Sequence, residues 1–225
     1  MSITAARKRT SLVLGVASVV GMTMLSASPS QAAVLNGNFS SGFSGWSTLG
    51  NTNASTGAAV LTTGASDTSS IESFLGLASG TLSGIGTSPT FGSAIKQSFF
   101  ATAGTVVSFD WLFKANDYLP FNDFSFVSLV PNGANLLSNV ATVGNFGSSG
   151  LQSFSNTIGV TGNYTLGFGV LNAIDNGFNS SLTIDNVSGN VTPVPTPALL
   201  PGLIGLGVGV LRKRKAEAAK QTSEV

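Results

Sequence analysis

Thr105-Val106-Val107-Ser108-Phe109-Asp110-Trp111-Leu112-Phe113 alternates with a period of two. Val107, Phe109, Trp111 and Phe113 share one face, and Val106, Ser108, Asp110 and Leu112 share the other. That period is a strand with an aromatic face turned inward, so Trp111 reads as core. Tyr164, Leu166, Phe168 and Val170, alternating with Thr165, Gly167 and Gly169, repeat the pattern. Phe124 to Val130 becomes apolar on both faces in its second half, as a central strand does. Further strands are expected at Val34–Phe39, Ala58–Thr63, Ile95–Phe100, Asn135–Val143, Phe154–Val160 and Leu182–Val187. Turn sequences such as Pro131-Asn132-Gly133 and Thr161-Gly162-Asn163 punctuate them. Ile71, Phe74, Leu75 and Leu77 suit one or two helical turns. The expectation is all-β: an antiparallel β-sandwich, jelly-roll-like, of eight to ten strands over residues 33–189.

Targeting segments flank this region. Arg7-Lys8-Arg9, the apolar stretch Ser11 to Leu25 and the small residues near Ala32 read as a signal peptide over 1–32, cut between Ala32 and Ala33. A linker over 190–198 leads to an apolar segment and basic stop over 199–215, and a cytoplasmic tail over 216–225. Leu199 to Leu211 covers only roughly 20 Å, whereas a bilayer core is roughly 30 Å thick. Counting back to Pro193 makes a marginal span, with Arg212-Lys213-Arg214-Lys215 held on the cytoplasmic side. An ordinary C-terminal membrane anchor is the plainer alternative.

Composition narrows the chemistry. Between Ala33 and Pro197 lie seven acids and two bases, a net −5, so a nucleic-acid partner is disfavoured. The chain has no Cys and no His. Disulfides, Ser-His-Asp and Cys-His catalysis and zinc sites of Cys or His ligands are therefore excluded. Carboxylate chemistry and oxygen-liganded cations are left.

Val194-Pro195-Thr196-Pro197-Ala198, the apolar run after it and Arg212-Lys213-Arg214-Lys215 resemble the PEP-CTERM class of sorting tails, in its PTPA variant. The resemblance implies handling by signal peptidase and an exosortase-type enzyme, with passage through the inner membrane by the C-terminal segment. It implies a place in the bacterial cell envelope or extracellular matrix. Phe109-Asp110-Trp111 and Asn122-Asp123-Phe124-Ser125-Phe126-Val127 resemble an exported domain type that carries such tails. Asn36-Gly37-Asn38-Phe39 with Gly45-Trp46, and Leu182 to Val187, resemble galactose-binding-like and carbohydrate-binding jelly rolls. Those folds imply a structural calcium near the chain ends, with Asp185 beside backbone groups near Asn38 as a candidate.

The expected role is non-enzymatic, with no required cofactor. One alternative is a carbohydrate-binding module meeting extracellular polysaccharide through Tyr118 and Phe121, an aromatic pair in a polar loop. Another is an envelope hydrolase using Asp carboxylates, which needs a carboxylate pair that no spacing singles out. Asp123 and Asp175 are candidate calcium ligands, because Asp and Asn in loops supply the oxygens that calcium takes, and Asp185 joins them through the jelly-roll resemblance. The same residues also make ordinary Asx turns.

Overall fold

The computed structural model describes residues 34–191, with side chains described through Gly189. The signal peptide, its Ala32/Ala33 cleavage site, the sorting motif, the apolar segment and the basic stop lie outside the described residues. Among the described residues, no helix is long and apolar enough to cross a membrane.

Two antiparallel sheets make the domain. The strands are β1 (Ser47–Leu49), β2 (Asn51–Asn53), β3 (Ala59–Thr62), β4 (Ser66–Asp67), β5 (Pro89–Ala101), β6 (Thr105–Lys114), β7 (Phe124–Val130), β8 (Ala134–Asn139), β9 (Gln152–Thr157), β10 (Gly162–Ala173) and β11 (Ser181–Val191). The helices are α1 (Thr68–Leu75), α2 (Thr81–Ile85) and α3 (Val140–Val143). One sheet runs β1-β5-β10-β7-β8, with β4 also on β5; the other runs β2-β3-β11-β6-β9. The chain switches sheet between β5 and β6, again between β6 and β7, and again between β9, β10 and β11, so β5-β10-β7-β8 faces β3-β11-β6-β9. That is the jelly-roll order.

The period-two reading of 105–113 places its residues as expected. Val107, Phe109, Trp111 and Phe113 point into the core between the sheets. There they meet Ile95, Val127, Phe168, Leu182 and Ile184. Phe109 bridges the two layers, edge-on to Phe168 at 4.7 Å between centroids and stacked on Phe154 at 4.8 Å. Ser93 ties the sheets a second time, donating to the Thr62 carbonyl (2.6 Å) and accepting from Asn51 N–H (2.8 Å).

Two segments depart from expectation. Val34–Phe39 makes turns, not a strand. Asn36 uses its side-chain amide to hold the Gly42 and Ser44 carbonyls and accepts from Ser41 N–H, closing a loop on itself. Phe39 then drops, fully buried, against Trp46 and Phe43. Gly37 passes so close to the Val187 carbonyl that no Cβ would fit. Asn135–Val143 is not one strand either. Asn139 accepts from Thr142 N–H and starts the short helix α3 at Val140.

The second face of the β5-β10-β7 sheet is also covered. Asp67 caps α1, accepting from Ser70 N–H, and Gly76 ends it in the left-handed conformation. Ile71 and Leu75 of α1 and Leu82 of α2 pack with Ala94, Phe124, Phe126 and Leu171 in a second, smaller core. Glu72, nearly fully buried, holds the two helices together: its carboxylate accepts from Gly80 N–H (2.9 Å) and Leu82 N–H (2.8 Å). Lys96 of β5 donates to the Phe74 carbonyl at the end of α1 and lies over the Phe74 ring. Glu72→Ala, which strands the buried Leu82 N–H and removes the partly buried Gly80 bond, is expected to cost about 2 kcal/mol in urea unfolding. A loss under about 0.5 kcal/mol would show that α2 does not depend on that carboxylate.

Candidate aromatic loop site

Three loops converge at the end of the sandwich where β6, β10 and the start of β11 lie. They run from β6 to β7 (residues 115–123), from α3 to β9 (144–151) and from β10 to β11 (174–180). Backbone bonds lace the first two together: Ala115 N–H donates to the Gly147 carbonyl, and Phe146 N–H to the Asp117 carbonyl. Leu119 N–H reaches Asn145 Oδ1 at 3.0 Å, and Ala141 N–H reaches Asn122 Oδ1 at 2.8 Å. Ser180 joins the third loop to the first, accepting from Asn116 N–H and donating to Asp123 Oδ2 at 2.6 Å. Thr90 of β5 anchors the third loop through the Asp175 carbonyl.

The laced loops carry a rim of rings. Tyr118 lies 5.4 Å from Phe121, 5.8 Å from Phe146 and 6.3 Å from Phe178 between centroids, and Phe146 lies 6.5 Å from Phe178. Phe146 and Phe178 are 56 % and 60 % exposed, with Tyr118, Leu119 and Ile174 also exposed. Around them stand exposed Asn116, Asn145, Asn176 and Asn179. Phe146, Ile174 and Phe178 have φ of 54°, 76° and 46°. Non-glycine residues enter that region at a cost, and bulky ones seldom do. Three exposed apolar side chains are thus presented on strained backbone, at a place where solvent would favour polar ones. Exposed rings gathered in this way make this end a candidate interaction surface.

Beneath the rim sits a polar layer. Asp117 and Asp123 are fully buried. Asp123 accepts from Ala173 N–H (3.0 Å) and from Ser180. Burial pushes its carboxyl up to about 6, against the lowering pull of those two bonds, with the Asp117 and Asp175 charges adding to the rise. Burial also raises Asp117, opposed by the bond from Tyr118 N–H and reinforced by Asp175. Asp175 forms an Asx turn, accepting from Gly177 N–H at 3.1 Å.

The sequence-derived candidates fall in two places. Tyr118 and Phe121 are neighbours in the rim, with Phe121 the less exposed. Asp123 is fully buried, whereas Asp175 is half-buried in the 174–180 loop itself. Asp185 does not join them: it stands four residues into β11, directly across from Asp110 on β6, accepting from Asn186 N–H. Its strand does approach the N-terminal segment, where Val187 N–H donates to the Gly37 carbonyl. The expected set of Asp123, Asp175 and Asp185 is therefore not assembled, and among the described residues no three acidic side chains stand where they could share one ion. Phe146 and Phe178 were missed. Their signal was present in Asn145-Phe146-Gly147 and Gly177-Phe178-Asn179, where a large ring sits among turn formers.

The chain matches no family model and no curated protein. Among solved structures it is similar in fold to a CBM4 structure (14 % identity, TM-score 0.36, covering 68 % of this chain and 98 % of that one). It is also similar to TmCBM61 in complex with β-1,4-galactotriose (16 %, TM-score 0.37, 70 % and 96 %). A third is the K3 cleaved adhesin domain of Lys-gingipain from Porphyromonas gingivalis (11 %, TM-score 0.37, 71 % and 99 %). At these identities a likeness concerns the fold alone.

Proposed function

We propose that this chain is an exported, non-catalytic glycan-binding protein. It meets extracellular polysaccharide through the rim of Tyr118, Phe146 and Phe178, and its PTPA-type tail delivers it to the cell envelope or matrix. The observation that supports this reading is the rim itself: exposed rings on strained loops, bordered by exposed asparagines. A sugar has an apolar C–H face that rests on a ring, and hydroxyls that pair with amides. Ring and asparagine side by side offer both. The acids favour binding over hydrolysis, because Asp117 and Asp123 are buried beneath the rings and are not presented beside them. Signal peptidase and an exosortase-type enzyme are its processing partners in this reading, and the apolar C-terminal segment is its passage through the inner membrane.

Affinity electrophoresis in gels containing host exopolysaccharide tests the binding. Tyr118→Ala and Phe146→Ala are each expected to weaken retardation about tenfold or more, as loss of a central aromatic anchor does. Phe146→Gly removes the ring and relaxes the left-handed backbone, so it should lose binding with stability unchanged or raised. Full retardation by all three variants would end the proposal.

A further inference from the structure

The end of the sandwich opposite the rim is a base of three turns, which join β5 to β6 (102–104), β7 to β8 (131–133) and β9 to β10 (158–161). Strand register brings them together: Ala101 of β5 stands across from Gly162 of β10, and Val130 of β7 across from Thr165 of β10. Gly104 N–H donates to the Ile158 carbonyl (2.8 Å) and Ala103 N–H to Thr161 Oγ1 (3.0 Å), tying the first turn to the third. The described segment starts and ends at this base. A Cβ at Gly189 would stand 3.3 Å from Val34 Cγ2, and Val191, last in β11, pairs with Thr105, first in β6.

The base is uncharged. Of the seven acids and two bases between Ala33 and Pro197, none lies within five residues of any of the three turns. Asp110 and Asp185 stand across from each other on β6 and β11, about 17 Å up the strand from Thr105. Pro131, Asn132, Val160, Thr161 and Asn163 are exposed on the base, Val160 by 71 %. Pro131, Asn132, Val160 and Tyr164 line a shallow groove there. Reach then fixes direction. Residues 192–198 separate Val191 from the apolar run that begins at Leu199 and span at most roughly 25 Å. The ten residues of β6 put the rim about 33 Å from the base.

We infer that the base docks on the lipid surface that the C-terminal segment enters, with the rim turned away from it. The inference rests on the reading of that segment as a membrane passage. An anionic headgroup layer repels carboxylates within about a Debye length, 8–10 Å, and the base keeps the acids of this net-negative domain beyond it. Val160 and Pro131 give that layer an apolar contact, and the exposed amides of Asn132 and Asn163 give it hydrogen bonds. The linker is too short to lay the rim on the same surface.

The chain has no cysteine, so single substitutions place a fluorophore cleanly. The full chain is reconstituted into vesicles of phosphatidylethanolamine and phosphatidylglycerol carrying a headgroup nitroxide, and flotation is scored first. Labels at Val160→Cys and Asn132→Cys should be quenched about threefold or more above labels at Asn145→Cys and Asn176→Cys on the rim. Adding Asn132→Asp and Asn163→Asp to Val160→Cys should cut that quenching about twofold, with flotation unchanged. Circular dichroism checks that the variants are folded. A chain that floats with base and rim quenched alike, or with the rim quenched more, overturns the inference alone. Quenching indifferent to the added aspartates also overturns it, because the tether would then hold the base near the lipid without docking. A chain that does not float removes the membrane reading of the tail and this inference with it.

Discussion

Gly169→Val is expected to destabilise the domain by about 3 kcal/mol or more, or to prevent folding. A Cβ at Gly169 would stand 2.5 Å from Phe126 Cε1, and one at Gly167 would stand 2.5 Å from both Leu75 Cδ2 and Ser128 Oγ. These glycines lie on the face of β10 that turns away from the main core. Their bareness lets α1 and the Phe124–Phe126 rings settle onto the sheet. Valine has the higher strand propensity, so propensity alone predicts a gain. The helical layer predicts a loss. Thr165→Val, on the same face of the same strand but outside the contact, should shift the urea midpoint little. If Gly169→Val unfolded at the wild-type midpoint, the Phe126 ring could not be seated against β10 as described.

Asp123 makes the second large prediction, in the dependence of stability on pH. Its folded carboxyl titrates at about 6, above the ordinary 3.8. The folded state therefore holds that proton more tightly than the unfolded chain does. Its contribution is fully present below about pH 4 and is lost as pH rises through 6. The shift alone is worth up to about 3 kcal/mol, more nearly 1–2 kcal/mol after solvent screening. Asp67 and Asp110 act in the opposite direction. Hydrogen bonds from Ser69 and Ser70, and from Ser153 and Asn186, hold them below the usual range, so they weaken the fold as pH falls. The difference between wild type and Asp123→Asn isolates the single group. Asparagine can still accept from Ala173 N–H and can donate to Ser180, so the variant should be as stable as wild type or more so at pH 7. The stability difference between the two should close as pH falls to about 4. A variant weaker at pH 7 by over 1 kcal/mol, with an unchanged pH slope, would mean that Asp123 is a well-accommodated carboxylate.

The strands were legible where one face is apolar and the other polar. Thr105–Phe113 and Tyr164–Val170 read directly, because their inner faces meet a core and period two is a local signal. The helical cover over β10 was half legible. Ile71, Phe74, Leu75 and Leu77 suggested helical turns, yet nothing local said that these turns lie on a sheet, and Gly167 and Gly169 read as a polar face when they are a contact. Val34–Phe39 misled because its apolar residues suit a strand, while Asn36 closes a loop around Phe39 through bonds six and eight residues away. Tyr118 and Phe121 were found because they lie three residues apart in one polar loop. Phe146 and Phe178 join them only through the convergence of three loops, which is a long-range property. Asp185 became a candidate through the resemblance to carbohydrate-binding jelly rolls; the register of β11 with β6 places it apart from Asp123 and Asp175.

The central claim is that the aromatic loop end, and not a sheet face, is the binding surface. The outer face of the β2-β3-β11-β6-β9 sheet is the natural rival, since Asn53, Thr183, Asp110 and Ser153 line it with polar groups. Titrating isotope-labelled protein with oligosaccharides from the host matrix, and following amide and aromatic resonances, separates the two. Saturable shifts at Tyr118, Asn145, Phe146 and Phe178, with Asn53 and Thr183 unmoved, are the predicted result. Shifts confined to Asn53, Asp110 and Thr183, with the rim silent, would contradict it.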